Sequence, residues 1–341
     1  MIRRDFLQTT ATLAVIGAGR QVRCAGSIAH EVLTVGGPVA ADRLAVTLPH
    51  EHVLVDFIGA DKVSRERYEP NEVFEVVLPH LKRASELGCR TLVECTPAYL
   101  GRDPSLLKRL SEASGLQIVT NTGYYGAGRG KFLPAHALTE TSEQLAARWI
   151  EEWRNGIEGT GVRPGFVKIG VDAGPLSTMG RKLVQAAART HRATGLTIAS
   201  HTGDGTAALE ELALLSEEGL DTSAFIWVHA QNESNSAVHA RAAQRGAWLS
   251  FDGVSPRTIE RHVGAVRAMK ERGMLARVLI SHDAGWYHVG EPRGGTFRPF
   301  ETLFTQFIPA LQGAGVSDAE IGQMTIINPR EAFAIRVRAR V

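Results

Sequence analysis

The chain has 341 residues, 44% of them hydrophobic and 22% charged, an ordinary globular balance that excludes fibrous or wholly disordered architecture. Lysine and arginine number 38 against 36 acidic residues, and a formal charge of +2 is too weak a field for nucleic-acid binding. Beyond the N-terminus no run of about 18 apolar residues occurs, so no helical membrane span is expected in the body of the chain. The cysteines, Cys24, Cys89 and Cys95, form no CxxC pair and no disulfide framework, and read as buried thiols.

The first 29 residues read as an address. Arg3, Arg4, Asp5, Phe6 and Leu7 precede a weakly apolar stretch from about Thr9 to Gly19, followed by Arg20 and Arg23 and the small-x-small run Ser27-Ile28-Ala29. This resembles a twin-arginine export signal cleaved near His30, which places the mature protein in the periplasm or outside the cell; a disordered basic N-terminus is the alternative. Without these residues 34 basic and 35 acidic side chains remain, so the mild basicity belongs to the address.

From residue 30 to 341 the pattern is that of one domain. Apolar runs of strand length stand at Leu44 to Leu48, Thr91 to Cys95, Gln117 to Thr122, Gly165 to Val171, Thr197 to Ser200, Phe225 to Val228, Ala247 to Phe251 and Arg277 to Ile280. Amphipathic helical segments lie between them, among them Asn71 to Leu87, Pro104 to Ser114, Ser142 to Gly156, Ser177 to Thr194 and Thr206 to Glu218. Strict alternation in units of about 33 residues predicts an α/β fold, a closed (β/α)8 TIM barrel, with an open doubly wound sheet as the alternative.

A parallel barrel brings the C-terminal ends of its strands to one mouth. Those ends carry His50 and His52 in TLPHEH, Lys168 in GFVKIG, His201 in IASH, His229 in WVH and Asp283 in ISHD. The separations of 33 residues from Lys168 to His201, 28 to His229 and 54 to Asp283 match one, one and two βα units. In an extended segment His50 and His52 face one side and Glu51 the other. Each histidine alone could be a hydrogen-bonded core residue, and Lys168 alone could be paired with a carboxylate. Together the six form a ligand set for two divalent ions at the strand ends. A buried lysine tends to shed its proton, and a neutral amine there can add carbon dioxide to give a bridging carbamate. GAGRGK, Gly126 to Lys131, fails as a phosphate loop: Tyr125 takes the place of its first glycine, and Phe132 that of its serine or threonine.

These motifs resemble the phosphotriesterase family of the amidohydrolase superfamily, with its lactonase branch, over about residues 32 to 335. The family's G-x-T-L-x-H-E-H stands here as AVTLPHEH, with Ala45 in place of the glycine, and TPAYLGRD, RPGFVKIG and SHDAGW follow in the family's order. The resemblance implies that His50, His52 and Asp283 hold the more buried ion, His201 and His229 the more exposed one, and a carboxylated Lys168 both. Zinc is the first choice of metal, with manganese, cobalt or iron as alternatives. A metal-bridged hydroxide would attack a lactone or carboxylic ester, and Asp283 would take the proton.

Tyr125 occupies the place of a tyrosine of the lactonase branch, which favours a lactone or carboxylic ester. Gly253 stands where that branch has an arginine, and Asn232 where the family often has an aspartate, which speaks against an aspartate-to-histidine relay. Arg257, Trp286 and Tyr287, with His288 and Arg293, lie on the loops after the seventh and eighth strands and are expected near the substrate. The expected partner is a small ester or lactone, and the family's habit implies a homodimer. Aryldialkylphosphatase activity is the first alternative, and a non-catalytic metal or ligand-binding barrel the second.

Overall fold

Two short antiparallel strands, Glu31–Thr34 and Gly37–Ala40, lead the chain in the computed structural model, which describes residues 30–340. The export signal expected over residues 1 to 29 lies outside the described residues. The hairpin is tied to the body by Val35 N–H donating to Ile118 O and Ile335 N–H to Glu31 O. Its Val32 packs in one buried cluster with Val93, Val119, Phe166, Trp248 and Leu279, the inward residues of the strands that follow.

Eight parallel strands form the barrel: β1 (Thr47–Val55), β2 (Thr91–Glu94), β3 (Gln117–Val119, continued by Asn121–Thr122), β4 (Phe166–Val171), β5 (Thr197–Thr202), β6 (Phe225–Val228), β7 (Trp248–Phe251) and β8 (Val278–Ile280). Each pairs with the next in parallel register. The last seam is closed by the chain beyond β8, where Asp283 N–H donates to His50 O and the strand Gly285–His288 runs parallel to β1. Sequence order is therefore spatial order, as in a (β/α)8 barrel.

The connecting helices are α1 (Pro70–Glu86), α2 (Pro104–Ser114), α3 (Ser142–Asn155), α4 (Thr178–Thr194), α5 (Gly205–Glu217), α6 (Ser236–Gln244) and α7 (Ile259–Glu271). Their starts are specified locally. Asp103 accepts from the N–H groups of Ser105 and Leu106 ahead of Pro104, and Thr141 and Gln144 form a reciprocal capping box. Gly115 and Gly195 end α2 and α4 in left-handed conformation. On α1, Val73, Val77, Leu81 and Ala84 form the buried stripe, and each buried valine or leucine contributes about 1.5–3 kcal/mol against the barrel wall.

The first strand differs from its sequence reading. Ala41–Leu44 is a 3-10 turn, and the strand starts at Thr47 and runs through the whole TLPHEH motif to Val55. Its polar residues hide it from an apolar-run criterion: His50 and His52 face the cavity, and Glu51, on the other side, is buried against residues 281–284. Between Leu48 and Glu51 its register with β2 slips by one residue. That bulge reverses the phase of the strand: Leu48 packs outward against the helical layer, while His50 and His52 face inward.

Candidate metal centre

Period two sets most of the site. On β4, Phe166 lies in the inner apolar cluster, so Lys168 and Gly170 above it face the same way; on β5, Ala199 stands beneath His201 in the same manner. His229 breaks this rule. Ile226 and Val228 face inward on β6, so the next residue would point out, but His229 takes a left-handed conformation, φ 61° and ψ 38°, that returns its ring to the barrel. Asp283 is left-handed too, with φ 51°.

The cavity they enclose has a volume of about 110 Å³ and is lined by His50, His52, Lys168, His201, His229 and Asp283, with Tyr125, Cys95, Phe57 and Trp286 among its other walls. His52 Nε2 lies 3.1 Å and His50 Nε2 3.6 Å from Asp283 Oδ1. Ring centroids are 5.3 Å apart for His50 and His52, 5.0 Å for His50 and His229, and 4.5 Å for His201 and His229. A larger cavity, about 480 Å³, lies beside the β1, β2 and β3 loops, lined by Tyr68, Tyr99 and Tyr124 and by arginines already paired with glutamates. It holds no histidine and no convergent ligand set.

The donor set fits a cation. Ligand atoms of His50, His52 and Asp283 all lie within 4.8 Å of one another, and Asp283 Oδ1 is buried without a hydrogen-bond donor. Thr96 Oγ1, 2.8 Å from His52 Nδ1, occupies that nitrogen and leaves Nε2 free to face the carboxylate. Burial holds the pKa of His50 and of His201 well below the usual imidazole value, so both are neutral and can donate a lone pair. Burial also depresses Lys168, against the opposing pull of Cys95, Asp252 and Asp283. Its Nζ is directed at Ile169 O, 3.3 Å away, and it takes part in no ion pair among the described residues. The carboxylate-paired lysine is thereby set aside.

Asp252, at the inward-facing top of β7, joins the two halves of the site. Its Oδ1 stands 2.7 Å from His229 Nδ1, and its Oδ2 accepts from His229 N–H at 3.1 Å and lies 3.4 Å from His50 Nδ1. Gln231 locks it, with Nε2 donating to Oδ1 at 2.9 Å and Oε1 accepting from Asp252 N–H at 3.2 Å. Burial by itself would favour the neutral acid, but the facing His229 and His50 rings and these hydrogen bonds hold the carboxyl far below its usual range. Burial likewise opposes a charge on His229, and Asp252 overcomes it and raises that imidazole. Gly253 makes room for this arrangement: a Cβ there would lie 2.9 Å from Gln231 Nε2.

Tyr125 and Trp286 reach the cavity. The Tyr125 ring lies 5.0 Å from His201, with Lys168 Nζ 5.6 Å from its centre, and Trp286 lies 5.0 Å from His52. The structure does not bring Arg257 or Tyr287 there. Arg257 is exposed on the segment before α7, and Tyr287 points the other way, its hydroxyl donating to Glu72 on α1. The alternation along Gly285–His288 sends neighbouring aromatics to opposite sides. Thr96, Asp252, Glu51 and His282 escaped the sequence reading; for Asp252 the signal was its in-phase place above Trp248 and Ser250.

The sequence model of the "Phosphotriesterase family" matches residues 30–333. The chain is 29% identical over 296 residues to the "Phosphotriesterase homology protein" of Escherichia coli (strain K12), covering 86% of this chain and 99% of the relative. It is 26% identical over 311 residues to the "Aryldialkylphosphatase" of Saccharolobus solfataricus, covering 85% and 95%. To the "N-acetyltaurine hydrolase" of Homo sapiens it is 24% identical over 352 residues, covering 89% and 98%.

Proposed function

The chain belongs to the phosphotriesterase family, and from that premise we propose that it is a two-metal hydrolase of a lactone or carboxylic ester. The observation that carries this reading is the single cavity in which four histidines, Lys168 and Asp283 converge with no competing hydrogen bonds on the His52 Nε2 and Asp283 Oδ1 atoms that face it. His50, His52 and Asp283 would hold one ion, His201 and His229 the other, and Lys168, carboxylated by carbon dioxide, both. Zinc suits these nitrogen and oxygen donors, as do manganese, cobalt and iron. When bound, such a pair supplies an activated water and polarises the oxygen of the electrophile.

The protein's own groups do the rest. Asp283 would hold the ion through Oδ1 and, through its second carboxylate oxygen, accept the proton of the attacking water and return it to the leaving alkoxide. Tyr125, whose phenol is kept protonated by burial and by the nearby Asp283, is a neutral donor beside the acyl oxygen. Phe57 and Trp286, with rings 5.4 Å apart, shield the mouth from bulk water.

Metal analysis is expected to find two ions per chain. Lys168→Ala is expected to lose them and to recover on addition of a short carboxylic acid. A panel of lactones, aryl esters, a dialkyl aryl phosphate and N-acyl amides tests the substrate class, and lactones are expected to turn over fastest. A preference for the phosphate would favour the activity named for the Saccharolobus relative, and a preference for amides that named for the human one; metal binding without turnover of any would favour a non-catalytic barrel. We also propose export through the arginine pair at Arg3 and Arg4, which replacement of both by lysine is expected to abolish, and a homodimer, testable by sedimentation.

A further inference from the structure

We propose that Glu51 and His282 form a positioning pair that holds Asp283 in its ligand conformation; the inference rests on the two-metal reading above. Glu51 lies between the two histidines of β1 but faces away from them, and it is fully buried. All four donors to its side chain come from residues 281–284. Oε1 accepts from Ser281 Oγ at 2.7 Å and His282 N–H at 3.0 Å, with His282 Nδ1 at 2.7 Å, and Oε2 accepts from Ala284 N–H at 2.9 Å.

The N–H groups on either side of Asp283 are thus fixed by one carboxylate. Asp283 N–H itself donates to His50 O at 3.1 Å. The orientation of these peptide planes sets the backbone of Asp283, whose φ of 51° a residue with a side chain keeps only when its surroundings enforce it. His282 extends the clamp outward. With Nδ1 donating to Glu51, its Nε2 accepts from Leu303 N–H at 2.8 Å, tying the far end of the loop after Gly285–His288 to the same carboxylate. One strand therefore supplies two ligands from one face and, from the other, the group that aims the third.

Glu51→Gln replaces an acceptor by a donor among four donors, so a peptide N–H beside Asp283 loses its partner. Cobalt titration of the metal-free full chain is expected to show affinity weakened about 10- to 100-fold, with a changed visible ligand-field spectrum. His282→Gln is expected to give a smaller shift in the same direction. Asn328→Ala serves as the stability control, since Asn328 holds the opposite end of β8 through Leu275 O and Val278 O; it is expected to lower the Tm and leave affinity and spectrum unchanged. Parent-like affinity and spectrum in Glu51→Gln overturn the inference, and should that variant not fold, the same result in His282→Gln does so. Failure of the parent chain to bind cobalt would overturn the two-metal reading itself.

Discussion

Asp252 concentrates more of the site's chemistry than any single ligand, because one buried carboxylate touches an imidazole from each half. Asp252→Asn preserves its shape but presents an amide to a ring that needs an acceptor. Metal affinity is expected to fall about 10- to 100-fold, with the ion at His201 and His229 lost first, as read by metal content after dialysis. Ala45, with φ 51° and ψ −142°, occupies a region that suits glycine. Ala45→Gly is expected to stabilise the fold by about 1 kcal/mol in urea unfolding. Glu211 on α5 is fully buried under Ser200 Oγ and Thr202 Oγ1, at 2.5 Å and 2.7 Å, and burial raises its pKa to about 8. Between pH 4.5, the ordinary glutamate value, and about 8, the folded state retains a proton that the unfolded chain releases, so Glu211 makes stability fall as pH rises through that window. Glu211→Gln is expected to flatten this fall in unfolding curves measured from pH 5 to 8.

At the scale of elements, Lys168 and His201 reach the cavity by the regular period of β4 and β5, whereas the other four side chains reach it where the backbone departs from regularity: the bulge in β1, the left-handed turn at the end of β6, and the left-handed Asp283 after β8. None of these is visible as an apolar run, so the apolar pattern puts the first strand several residues early but matches β4, β5 and β6 almost to the residue. Close approach between elements also matters. A Cβ on Gly170 of β4 would lie 2.8 Å from the Tyr125 ring, so the absence of a side chain there lets the tyrosine lean over Lys168 and His201. Gly170→Ala is expected to displace Tyr125, raising KM for lactones about tenfold while metal content stays at the parent value. An unchanged KM would remove Tyr125 from substrate contact.

For the whole molecule, the candidate ligands come from β1, β4, β5, β6 and the segment after β8, so metal bound by all of them would cross-link the barrel around its circumference. Two ions at concentrations a hundredfold above their Kd each add about 2.7 kcal/mol, and chelation is expected to lower the Tm by about 10 °C in differential scanning calorimetry. A Tm insensitive to chelator would mean that the site is not loaded.

The alternation of strand and helix along the chain is enough to specify the barrel, and residue types that recur at strand ends are enough to mark six candidate ligands. The alternation, and the inward phase of Lys168 and His201, are properties of local period, which neighbours along the chain suffice to set. Which groups orient the candidate ligands and which aromatics face them depends on tertiary contacts. Glu51 on β1 and Asp283 on the segment after β8 meet across the barrel's last seam, Asp252 reaches back to β1 and β6, and Tyr287 turns to α1 while Trp286 turns to the cavity. These contacts join residues far apart in the chain, and their geometry follows from barrel closure, a bulge and two left-handed residues that no pattern of residue types along the chain encodes.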